Sequence, residues 1–77
     1  MRTDTERNLG AAIRARRLSM RLSLVKVSRA TGIDISDLSK LERGLSRTSI
    51  PRYDRIAKAL KWSPAEMWGA ATGRRAA

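Results

Sequence analysis

The sequence predicts an all-α domain of five short helices packed as one compact bundle. Three observations lead there. Apolar residues recur at helical spacing from Leu9 to Trp68, and no stretch alternates apolar and polar residues as a half-buried strand would. Each helical stretch is bounded by a residue type suited to starting or stopping a helix. The chain has 77 residues, which is at most one domain. A domain that small buries only about 60% of the surface its unfolded chain exposes, so a few well-placed side chains must make the core.

The first helix is expected over about residues 5–20. Leu9, Ala12, Ile13 and Met20 fall close to one stripe, and Arg14, Arg16 and Arg21 lie mostly off it. Ser23 is placed to cap a second helix at residues 24–31, with Val27 inward. Gly32 should end that helix, because glycine enters the left-handed conformation cheaply. Asp34 is expected to cap a third helix at residues 35–43, with Leu38 and Leu41 inward and Gly44 as its stop. A polar loop at 45–48 follows. Ser49 then caps a fourth helix, with Ile50 and Pro51 in its first turn, where the missing proline N–H does no harm. Tyr53, Ile56, Ala57 and Leu60 follow the i, i+3, i+4, i+7 pattern and make the cleanest amphipathic stripe in the chain. Ser63-Pro64-Ala65-Glu66 combines a capping box with proline at the first helical position, and Met67 and Trp68 give the fifth helix its apolar face. The expected domain covers residues 1–71, and 72–77 are expected to be a basic flexible tail.

Charge narrows the function. Seventeen Lys and Arg stand against seven Asp and Glu, a net charge of +10. That excess implies a polyanionic partner, either nucleic acid or an anionic membrane surface. Most of the cations are arginine, whose planar guanidinium matches phosphate and guanine. Basic residues occur on each of the first four helices and not on one polar face opposite a bulky apolar one, which disfavours the membrane surface. There is no cysteine and no histidine, so disulfides, thiolate metal sites and the usual nucleophile–histidine pairs have no players. No metal or cofactor is expected. The carboxylate pairs Asp54/Glu66 and Asp34/Asp37 are better explained by capping and helix solvation than by acid–base work, so no enzyme is expected. No apolar run is long enough to span a membrane, and the N-terminus lacks the apolar stretch of a signal peptide. The expected location is the cytoplasm.

Residues 24–44 hold the informative segment. Two short helices are joined at Gly32 by a turn of a few residues, with the small Ser28 at the crossing. Val27, Ile33, Leu38 and Leu41 are placed to lock the angle between them, which leaves the outer face of the second helix of the pair free to enter a major groove. Leu9-Gly10, Ile13-Arg14, Arg17, Leu22-Ser23-Leu24, Gly32-Ile33, Leu38-Ser39, Leu41-Glu42-Arg43-Gly44, Ser49-Ile50 and Ile56-Ala57, with Ala59-Leu60, together resemble the Cro/repressor-type helix-turn-helix regulators, the lambda-repressor-like family. The resemblance spans residues 9 to about 68.

The resemblance implies that outward residues at the start of the third helix touch base edges: Ile35, Ser36, Asp37, Ser39 and Lys40. Relatives often carry a long amide where this chain has Ile35, so apolar contact with a thymine methyl replaces a glutamine–adenine pair. Lys40 can donate to guanine, and Asp37 either accepts from cytosine or simply favours the helix N-terminus. Ser23, Leu24, Arg43 and Arg47 correspond to phosphate contacts. Arg17 and Glu42 correspond to a structural ion pair, and Ser28 stands where alanine is usual. Relatives of this size usually dimerise, often through the fifth helix, which points to Trp62, Met67 and Trp68 as dimer contacts. The implied function is a sequence-specific repressor binding double-stranded DNA as a homodimer. Two alternatives stand beside it: an antitoxin or adaptor that mainly holds a protein partner such as a toxin, and a non-specific nucleic-acid binder.

Overall fold

The computed structural model describes residues 4–71. They form α1 (Asp4–Ser19), α2 (Leu24–Thr31), α3 (Ile35–Glu42), α4 (Ile50–Ala59) and α5 (Pro64–Ala71), with no strand among the described residues. The all-α, five-helix reading holds. Residues 72–77, expected to be a tail, lie outside the described residues. α1 packs along α5 and α3, α2 packs on α3 and α4, and α4 meets α5.

The core gathers residues from every helix. Leu9, Ile13, Val27, Ile33, Leu38, Leu41, Tyr53, Ile56, Ala57, Leu60, Met67 and Ala71 are all buried. Removing one such aliphatic or aromatic side chain from water contributes about 1.5–3 kcal/mol. Trp68 closes one side, its ring meeting that of Tyr53 edge-on at 5.4 Å between centroids. Met67 has no exposed surface, so it belongs to the core and offers nothing to a partner subunit. Its position on the inward stripe of α5, opposite the solvated first turn, accounts for that correction.

Local chemistry sets most of the boundaries. Ser23 Oγ accepts from the Lys26 amide at 3.1 Å, and Ser49 Oγ accepts from the Arg52 amide at 3.4 Å. At α5 the capping box is reciprocal: the Glu66 amide donates to Ser63 Oγ, and the Ser63 amide donates to Glu66 Oε1, each at 3.1 Å. The bond from the Ser63 amide holds the Glu66 carboxyl below its ordinary range. Asp34 departs from expectation. It occupies the N-cap position of α3, yet its side chain makes no capping bond. The third helix also ends one residue early, at Glu42, with Arg43 as its C-cap.

Two turns carry positive φ at residues other than glycine: Arg21 at 56° and Lys61 at 55°. Both end a helix in the same way. The Leu22 amide reaches back to Arg17 O and the Arg21 amide to Leu18 O; the Trp62 amide reaches Ala57 O and the Lys61 amide reaches Lys58 O. Each turn delivers the chain to a serine that caps the next helix. Each is also held by an arginine from α1. Arg17 Nη1 donates to Leu22 O at 2.8 Å. Arg16 Nε donates to Leu60 O at 3.0 Å, and its guanidinium lies 5.6 Å from the centre of the Trp62 ring.

α1 approaches α3 closely at Gly10. A β-carbon there would collide with the carbonyl oxygen of Leu41 and lie 2.9 Å from that of Glu42. α1 therefore meets the last turn of α3 backbone to backbone. Gly10→Ala is expected to lower the unfolding free energy by at least about 1–3 kcal/mol, the usual result of overpacking. Urea denaturation checks this; an unchanged midpoint would show that α1 and α3 separate freely.

Candidate nucleic-acid interface

α2, the turn at Gly32 and α3 form the helix-turn-helix. Gly32 has φ 75° and accepts the chain reversal without strain. On α3, Leu38, Leu41 and Glu42 point into the body, while Ile35, Ser36, Asp37 and Lys40 are exposed along the outer face. Four of the five residues expected to touch bases thus share one solvent-facing surface. The fifth, Ser39, is half-buried at the flank, where its carbonyl accepts from Arg43 Nε at 3.3 Å. Ile35 is 41% exposed, a large aliphatic side chain held out to solvent in the first turn.

The expected phosphate-binding residues lie around this face. Ser23 is exposed at the start of α2, whereas Leu24 is half-buried against the core. Arg43 and Arg47 are exposed beyond the end of α3. Asp37, Lys40, Arg47 and Arg52 line one cleft between α3 and the loop into α4, floored by Ile33 and Leu41. Arg52 was not among the expected contacts. Its signal was the Ser49 cap, which places it in the first turn of α4 beside the loop. The Thr48 amide donates to Tyr53 Oη at 3.4 Å, which ties that loop to α4.

α3 is held from behind by Arg17. Arg17 Nε donates to Glu42 Oε2 at 2.7 Å and Nη2 donates to Glu42 Oε1 at 3.0 Å, a bidentate pair. The two side chains are 10% and 5% exposed. The hydrogen bond to Glu42 raises the Arg17 pKa further above its ordinary value, while burial opposes that shift. Among the described residues, no three acidic, histidine or cysteine side chains cluster as metal ligands. No described helix is long and apolar enough to cross a membrane.

The helix-turn-helix domain family matches residues 8–75, nearly the whole chain. The chain belongs to that family. Its helix-turn-helix sits in a fold shared with gene regulators. The clp gene regulator ClgR from Corynebacterium glutamicum superposes with a TM-score of 0.87 at 29% identity, covering 99% of this chain and 97% of that one. The restriction-modification controller protein C.AhdI from Aeromonas hydrophila gives 0.76 at 28% identity, covering 79% and 92%. The controller C.Esp1396I, solved as a tetramer with its natural 35 base-pair operator, gives 0.80 at 17% identity over 90% and 91%, a likeness of fold alone. No curated protein matches the chain. This helix-turn-helix chain is a DNA-binding transcriptional regulator of the Cro/repressor kind.

Arg47 and Arg52 are expected to act on DNA through charge alone. Arg47→Ala and Arg52→Ala should each weaken binding to all duplex sequences alike and reduce the salt slope by roughly 0.9. An unchanged slope would remove the residue concerned from the phosphate contacts.

Proposed function

We propose that this chain is a homodimeric repressor that reads a pseudo-palindromic operator through the major groove. The observation that carries the proposal is the outer face of α3, where Ile35, Ser36, Asp37 and Lys40 stand exposed on a helix whose opposite face is locked into the core. Short polar and apolar side chains on a fixed helix suit base edges, and the longer arms of Arg43, Arg47 and Arg52 suit phosphates. Phosphate contacts set the register; α3 supplies the sequence preference. Action in the cytoplasm on nucleoid DNA follows from that role.

One α3 covers only a few base pairs, so two copies with half-sites about 34–36 Å apart give the needed affinity. The multimeric controller C.Esp1396I on its operator supports this use of the fold. Trp62 and Trp68 are half-buried and remain the proposed dimer contacts, with Met67 withdrawn to the core. The binding unit is proposed to be residues 1–71.

Selection from random duplex DNA at near-physiological salt, followed by titration of the winner and of scrambled duplex, tests the reading. A pseudo-palindromic winner bound at least ~10³-fold more tightly than scramble is the expected result. Lys40→Ala with Ser36→Ala should then cut binding to the winner far more than binding to scramble. Uniform, salt-sensitive binding with no enriched sequence would reject sequence readout.

A further inference from the structure

Side chains, and not only its glycine, hold the turn between α2 and α3. Ser28 Oγ donates across the turn to Ile33 O at 2.6 Å. Thr31 Oγ1 donates to Val27 O at 2.7 Å and accepts from the Ile33 amide at 3.2 Å. Arg55 reaches over from α4, and its Nη1 donates to Thr31 O at 3.3 Å. Both backbone polar groups of Ile33 are thus held by hydroxyls of α2, although Ile33 lies outside that helix and is itself buried.

α3 differs from the helices around it in how it begins. α2, α4 and α5 each start with a serine whose side chain accepts from the first turn. Asp34 makes no such bond. No side-chain cap therefore fixes the first turn of α3, and the direction in which it leaves the turn depends on how the chain is held just before Asp34, at Ile33. The short bond from Ser28 sets that residue, and Arg55 braces the turn against α4.

We propose that Ser28 is a positioning residue for base readout: its hydroxyl fixes the direction of α3, and so the sequence preference of the protein. The inference rests on the sequence-reading role proposed above. It assigns the hydroxyl a task beyond being small at the helix crossing. Hydrogen bonds to base edges weaken steeply as their angle departs from linear. Phosphate contacts made by long arginine arms tolerate the same displacement. Loosening α3 therefore lowers specific binding and leaves binding to arbitrary duplex in place.

Ser28→Ala keeps a small residue at the crossing and removes only the donor. The full chain and this variant are titrated on the selected duplex and on scramble, and amide hydrogen exchange is followed helix by helix. The expected result is a ratio of selected to scrambled affinity lowered about three- to tenfold, the size of one net hydrogen bond. Scramble affinity stays constant, and α3 exchanges faster while α1 does not. A ratio within twofold of the parent overturns the proposal, even if the melting temperature falls, because the bond would then be structural only. Equal losses on both duplexes also overturn it. A parent chain that does not distinguish the two duplexes rejects the functional reading itself, a separate failure.

Discussion

Arg17 lies in the last turn of α1 with its guanidinium divided between two places. Two nitrogens grip both carboxylate oxygens of Glu42 at the end of α3, and the third reaches the Leu22 carbonyl just before α2 begins. Burying two charges is unfavourable unless their hydrogen-bonding capacity is met, and here most of it is. The start of α2 and the end of α3 are thereby both referred to one side chain of α1. Gly10 sits on the same helix and lets its backbone close on Leu41 and Glu42. A residue with a β-carbon would push α3 outward and stretch the ion pair. The pair thus depends on the close contact at Gly10.

With that anchor in place, the charges divide between two tasks. Arg16 and Arg17 turn inward, bind turn carbonyls and fix the bundle. Other cations, among them Arg43, Arg47 and Arg52, are exposed around α3. The excess of +10 is spread over the surface, so it attracts a polyanion without selecting a sequence. In the proposed reading, selection falls to the outward side chains of α3, which act only as well as that helix is held.

Much of this was legible in the sequence because it is encoded locally. Serine caps at 23, 49 and 63, glycine stops at 32 and 44, and the stripe through Tyr53, Ile56, Ala57 and Leu60 each announce an element without tertiary information. The first three helices begin and end within a residue of expectation, and the fourth and fifth begin where their caps place them. The turns at Arg21 and Lys61 were not legible, because a non-glycine residue with positive φ carries no compositional signal; the bonds to Arg17 and Ala57 carbonyls stabilise it. The uncapped Asp34 was hidden for the opposite reason, since aspartate is a good cap by type and only the turn geometry decides whether it is used. Met67 shows the limit of reading apolar residues on a short helix. Eight residues give barely two turns, too few for periodicity to separate a core side chain from one offered to a partner. Arg52 came into view only when the fold brought the first turn of α4 beside Lys40 and Arg47.

The claim that Arg17 and Glu42 act as one unit is tested most directly by a double-mutant cycle on unfolding free energy, with Arg17→Met, Glu42→Gln and the two combined. Each single change leaves a buried polar partner uncompensated and is predicted to lower stability by about 3–5 kcal/mol, while the double variant loses far less than the sum. Losses that add to within about 0.5 kcal/mol would contradict the account, because the two side chains would then stabilise the fold independently and α3 would have to be held in place by something else.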